Sequence, residues 1–170
     1  MMTSLTSNSS KTDYPVKIIF ICLGNICRSP AAEGIMKKLV ADKQINDKYH
    51  IESAGIGGWH VGELPDKRMR KHASLRGFDL NSRAQQFEDS FFNKFDYIVV
   101  MDNENYKNIS NRTVDDEQRS KIVKIRDCFI KHNGCQSVPD PYYGGEEDFE
   151  LALDLIEDGC QGLLNMIENK

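Results

Sequence analysis

The sequence predicts an α/β fold: a parallel sheet flanked by helices on both faces, with a phosphate-binding loop between the first strand and the first helix. Three observations predict it. Short apolar runs alternate with helical stretches along the chain. One run, residues 97–101 (YIVVM), is apolar nearly throughout, which suits a strand buried on both faces. Residues 16–36, VKIIFICLGNICRSPAAEGIM, pass from an apolar run through a compact loop into a helix. In that order the loop N–H groups and the positive end of the helix dipole converge on one point, which is a cradle for an oxyanion.

The elements follow in order. The first strand covers residues 16–21, the loop 22–28, and a helix starts at Ser29–Pro30 with apolar residues at Ala32, Ile35, Met36, Leu39 and Val40. A second strand is expected over 50–54, broken by Gly55, Gly57 and Gly58. Residues 65–76 read as a helix ending at Gly77, a glycine suited to the position after a helix end. A short helix is expected over 87–92, then the strand 97–101, a helix over 102–110 and a weak fourth strand over 122–125. Residues 128–137 read as loop. After the PDPYYGG turn comes a long helix whose stripe is Phe149, Leu153, Ile156, Cys160, Leu163 and Ile167. In parallel sheets ligands sit beyond the carboxyl ends of the strands, so the Cys22 loop, the segment after Ala54 and Asp102 should share one rim.

The chain has 170 residues, which suits one domain, expected over 15–170 behind a flexible polar tail at 1–14. With 39% hydrophobic and 28% charged residues, it has the composition of a soluble globular protein. A net charge of −4 with no basic run argues against a nucleic-acid partner. No apolar stretch approaches the ~20 residues of a membrane span, and the polar N-terminus does not read as a secretory signal. Five cysteines at irregular spacing do not suggest a disulfide framework, so a cytoplasmic location with reduced thiols is expected.

Cys22 and Arg28 carry the chemistry of the loop. Wrapped round a tetrahedral oxyanion, their spacing places the sulfur beneath phosphorus and the Arg28 fork across two oxygens. The loop amides, the helix terminus and Arg28 all favour a thiolate, so Cys22 reads as a nucleophile rather than a small core residue. Beside a helix N-terminus the Arg28 cation opposes the dipole, and an anion held between them removes the conflict. The pattern GxxxxGK followed by Ser or Thr is absent, which argues against nucleotide binding. Cys27 either packs or lies close enough to Cys22 to trap a sulfenic acid as a disulfide. Neither Cys22/Cys27 nor Cys128/His132/Cys135 supplies a four-ligand zinc pattern, so no metal or cofactor is expected.

The second informative stretch is VPDPYY, residues 138–143. Two prolines fix the backbone around Asp140 and two aromatics follow, an arrangement suited to protonating a leaving phenolate. Phenol has a pKa of about 10, so a general acid helps its departure greatly. Trp59, the single Trp, stands in a Gly-rich loop and is expected at the rim as a wall for an aromatic substrate. His60 and His72 read as surface or packing residues. The run 146–148 (EED) supplies favourable charge to a helix N-terminus.

CLGNICRSPAAE at residues 22–33, followed by DPYY at 140–143, resembles the low-molecular-weight protein tyrosine phosphatases, over nearly everything except the tail. The resemblance implies a four-stranded parallel sheet and metal-free hydrolysis of phosphotyrosine in protein substrates, with inorganic phosphate as product or inhibitor. It makes Cys22 the nucleophile, Arg28 the phosphoryl-binding residue and Asp140 the acid, with Leu23, Gly24, Asn25, Ile26 and Cys27 forming the loop. Ser29 would hydrogen-bond the Cys22 thiolate, and Asn25 would brace the loop, helped from behind by Ser53 and His72. The match at Cys27 supports the redox reading. Trp59, Tyr142 and Tyr143 match the pocket walls. Ile26 stands where related arginine phosphatases carry Thr, which favours phosphotyrosine. The alternatives are a thiol-dependent arsenate reductase, for which Cys128 and Cys135 are the candidate further pair, a phosphoarginine phosphatase, and a non-catalytic phosphate-binding module.

Overall fold

The computed structural model describes residues 14–170, so the tail expected over 1–14 lies outside the described residues apart from Tyr14. Four parallel strands, β1 (Val16–Cys22), β2 (Tyr49–Gly55), β3 (Tyr97–Val100) and β4 (Ile122–Lys124), form one sheet in the order β2-β1-β3-β4. Around it lie α1 (Arg28–Asp42), α2 (Lys67–Leu75), α3 (Phe91–Lys94), α4 (Asn103–Ser110), α5 (Asp116–Ser120) and α6 (Glu146–Glu168). Among the described residues no helix is long and apolar enough to cross a membrane.

The central strand explains the two-sided core. Successive β1 side chains point to opposite faces. Ile18, Phe20 and Cys22 join α1, α2 and α6 on one face, while Ile19 and Ile21 face the other. There they meet Ile98, Val100, Ile109 and a cluster of phenylalanines. Phe87, Phe91, Phe92 and Phe95 pack edge to face at centroid separations of 5.2 to 5.6 Å, a geometry worth roughly 0.5–1.5 kcal/mol per pair beyond area burial. From Ile18 onward β1 is paired on both sides and covered on both faces, which leaves no polar position there and explains the apolar run after Lys17.

Two expectations are corrected. The short helix expected over 87–92 begins only at Phe91. Residues 85–87 instead run alongside the end of β2: Gly55 N–H donates to Gln85 O at 2.8 Å and Phe87 N–H to Gly55 O at 2.8 Å. Those bonds hold Phe87 extended and commit its N–H outside any helix. The helix α5 was not expected, because it buries no residue and so shows no apolar period. Its start is marked only by Asp115, whose side chain accepts the Gln118 N–H at 2.7 Å.

The strand ends build the rim. Beyond the last paired residues, Ile56 N–H donates to Cys22 O at 3.0 Å and Gly57 N–H to Leu23 O at 2.9 Å. These bonds lace the loop after β1 to the segment after β2. Gly55 is required there: a Cβ would lie 2.9 Å from the Gly24 carbonyl carbon and 3.0 Å from Asn25 N. The third segment arrives through Val138, whose N–H donates to Met101 O at 3.0 Å, just after β3. That bond sets the VPDPYY turn over the same rim.

Candidate active site

The loop between β1 and α1 curls because Asn25 adopts the left-handed backbone region, at φ 57°, a conformation that Asn tolerates better than most residues. Its buried side chain then serves as a brace. Asn25 Nδ2 donates to Ser29 Oγ at 2.8 Å and to Ser53 Oγ at 2.9 Å, and its Oδ1 accepts Gln85 N–H at 3.0 Å. Ser29, in the first turn of α1, stands 2.9 Å from Cys22 Sγ. No side chain caps α1, so its first N–H groups remain available to an anion in the loop.

Arg28 is the first residue of α1, and its side chain is only 3% exposed. The expected conflict with the helix dipole is met by two acids. Arg28 Nη1 donates to Asp102 Oδ2 at 2.6 Å and to Val138 O at 2.9 Å, while Nη2 lies 3.6 Å from Asp140 Oδ2. Burial works against the guanidinium charge, but the Cys22 sulfur, Asp102 and Asp140 outweigh it and hold Arg28 above its ordinary value. With Nη1 hydrogen-bonded to the protein, Nη2, which only faces Asp140 at 3.6 Å, and Nε are the edge left to meet phosphoryl oxygens.

Asp140 is held by the turn itself, its Oδ1 accepting Tyr142 N–H at 3.1 Å. A cavity of about 330 Å³ gathers Cys22, Leu23, Gly24, Ile26, Cys27, Arg28 and Asp140 with Trp59, His60, Tyr142 and Tyr143. Its polar floor is buried and its rim is aromatic and open: Cys22 is 3% exposed, Trp59 70% and Tyr143 96%. The two tyrosine rings meet edge on at 4.9 Å. The Trp59 ring lies across Gly57, where a Cβ would collide with it. Burial, and next Asp66 and Cys22, push the Cys27 thiol far above its ordinary value, so Cys27 keeps its proton.

The cavity therefore brings together ten of the expected site residues. Asn25 and Ser29 lie directly beneath it, and Ser53 reaches it through Asn25. His72 does not join them. It is turned by α2 towards α6, with Nδ1 bonded to Glu150 Oε1 at 2.6 Å and its ring stacked on Phe149 at 5.8 Å. The acceptor of Asn25 is satisfied by Gln85 instead.

A sequence profile of the low molecular weight phosphotyrosine protein phosphatases matches residues 17–170. The chain belongs to that family. Its crystal-structure relatives include a protein tyrosine phosphatase from Entamoeba histolytica, 42% identical with a TM-score of 0.87, the alignment covering 91% of this chain and 97% of that one. YfkJ of Bacillus subtilis, named a low molecular weight protein-tyrosine-phosphatase, is 36% identical over 91% of this chain and 97% of its own. A low molecular weight phosphotyrosine protein phosphatase of Gallus gallus is 34% identical over 86% and 92%.

Within this phosphatase-family site, three residues have no role assigned from the sequence, although Asp102 is expected at the rim. His60 borders the cavity beside Gly24 and pairs with Glu63 at 2.6 Å. Gln85 and Asp102 act at a distance, one bonding Asn25 and the other Arg28. A signal for Asp102 existed: an acid just past a buried strand, three residues before Asn105, whose N–H it accepts at 2.8 Å as the cap of α4. Asp102 is thus fixed at both oxygens. Asp102→Ala is expected to lower stability by about 1–3 kcal/mol, through the lost cap and the lost charged hydrogen bond. It should also lower kcat/KM for an aryl phosphate by roughly 10- to 100-fold, because Arg28 keeps its charge but loses its anchor. Denaturant melts and steady-state kinetics read the two effects separately.

Proposed function

We propose that the protein hydrolyses phosphotyrosine in protein substrates, and small aryl phosphates, through a cysteinyl-phosphate. The observation that carries this reading is the convergence of the Cys22 sulfur, the Arg28 fork and the Asp140 carboxyl on one cavity, with Asp140 Oδ2 3.6 Å from Arg28 Nη2. The Cys22 sulfur attacks phosphorus, the bond from phosphorus to the phenolic oxygen breaks, and Asp140 gives its proton to the departing phenolate. A water then attacks phosphorus, losing a proton to Asp140. The S–P bond breaks, inorganic phosphate leaves and Cys22 is restored. Arg28 and the amides of residues 23–28 hold the three equatorial oxygens throughout and match the charge of the transition state. Inorganic phosphate, having the same tetrahedral shape, inhibits by occupying this cradle.

The aromatic rim supports phosphotyrosine as the substrate class. Trp59, Tyr142 and Tyr143 offer faces to a phenyl ring while the phosphoryl group reaches the buried floor. The bulk of Ile26 in the cavity wall suits that ring better than a guanidinium chain. The reading also places the protein in the cytoplasm, where its free thiols are reduced at rest, and makes Cys27, which must give up its proton to react, the partner that traps a Cys22 sulfenic acid as a disulfide with loss of water. With chelator and reductant present, a phosphotyrosine peptide should release phosphate at least ~100-fold faster than a phosphoserine peptide or phosphoarginine. Faster release from phosphoarginine would replace this substrate class with the phosphoarginine alternative.

A further inference from the structure

Glu33 is a buried carboxyl that the chemistry above does not use. It lies in α1, is 6% exposed, and pairs through Oε2 with Lys37 Nζ at 2.7 Å. Its Oε1 accepts the Ser53 hydroxyl at 2.7 Å. Ser53 Oγ accepts Asn25 Nδ2 at 2.9 Å, Asn25 Nδ2 also donates to Ser29 Oγ at 2.8 Å, and Ser29 Oγ lies 2.9 Å from Cys22 Sγ. Five side chains from α1, β2, the loop and the end of β1 form one unbroken line. Asn25, Ser29 and Cys22 are each 3% exposed or less, so the bonds between them are closed to water, while Glu33 and Ser53 border a cleft on the other side.

The inventory of protons gives the line a direction. A carboxylate paired with lysine has none to donate, so the single Ser53 proton must point to Glu33. Only the lone pairs of Ser53 then face Asn25, which must present its amide nitrogen. The Gln85 N–H on Asn25 Oδ1, at 3.0 Å, holds the same orientation from the other side. The amide donates to the Ser29 oxygen, and the single Ser29 proton is left with one partner, the Cys22 sulfur. We propose that Glu33 is a positioning residue that sets the direction of this line, so that Ser29 donates to the Cys22 sulfur before attack and as the sulfur leaves phosphorus. Glu33 touches neither substrate nor sulfur, and the proposal rests on Cys22 being the nucleophile.

The test is a double-mutant cycle on kcat for p-nitrophenyl phosphate, with the inhibition constant of inorganic phosphate measured alongside. Glu33→Ala and Ser53→Ala should each lower kcat about tenfold, or about 1.4 kcal/mol, with the inhibition constant unchanged. The double variant should be no slower than the slower single one, because both cut the same line. Glu33→Gln, combined with Lys37→Met so that no cation competes for its single oxygen, keeps an acceptor for Ser53 and should stay within about twofold of wild type. Multiplying losses in the double alanine variant, or a tenfold loss in Glu33→Gln with Lys37→Met, would overturn the proposal. If Glu33→Ala does not fold, Ser53→Ala decides: the line runs only through it, so an unchanged kcat refutes the idea. Turnover surviving Cys22→Ser is a separate failure, of the nucleophile reading itself.

Discussion

Cys22→Ser is expected to abolish turnover while phosphate binding persists. The serine hydroxyl ionises far less readily than a thiol and is a poor leaving group from phosphorus, so both steps fail. The expected loss in kcat is at least roughly four orders of magnitude, the scale seen when a nucleophile is removed. The cradle should survive. Arg28 remains anchored on Asp102 and Val138, and Asn25 still braces the loop through Ser53 and Gln85, none of which depends on the sulfur. Isothermal titration with inorganic phosphate, read beside p-nitrophenyl phosphate kinetics, separates the two. Retained binding with lost turnover is predicted. Comparable turnover in the variant would show that the nucleophile lies elsewhere.

The second large effect is a change in leaving-group dependence for Asp140→Ala. Asp140 is half-exposed at the cavity edge and fixed by its turn, with Oδ1 on Tyr142 N–H and Oδ2 towards Arg28. A proton donor there matters most when the departing phenolate is basic. Phenyl phosphate should therefore slow by about 10²–10⁴-fold, and an ester of an acidic phenol such as p-nitrophenol by much less. The series of substituted phenyl phosphates measures this as a steeper dependence of rate on leaving-group acidity in the variant. Equal slowing across the series would remove Asp140 from the acid role and leave it as a partner of Arg28 alone.

The parts of the site legible in the sequence are those whose chemistry is contiguous. Strand, loop and helix start follow one another in residues 16–36, so the cradle and the Cys22–Arg28 spacing can be read from a single stretch. The VPDPYY turn likewise carries its acid, its prolines and its aromatics together. Long-range partners were not legible. Asp102 is legible as an acid at the rim, but local pattern does not pair it with Arg28, 74 residues away, nor Gln85 with Asn25, 60 residues away. His72 was misplaced because helical phase on α2 turns it to Glu150 and Phe149, a fact set by how α2 meets α6. In the fold, the strands and the amphipathic helices declared themselves through burial. The helix α5 buries nothing and gave no period, and α3 started late because residues 85–87 were claimed by the end of β2.

The central claim is that phosphate passes through the Cys22 sulfur. Rapid mixing of the enzyme with excess p-nitrophenyl phosphate, in chelator and reductant, tests it most directly. The account predicts a burst of p-nitrophenolate approaching one equivalent per active site, followed by slower steady turnover, and acid-quenched protein carrying one phosphoryl group on Cys22. Steady turnover with neither a burst nor a phosphorylated cysteine under any quench would contradict it, and would assign hydrolysis to direct attack by water.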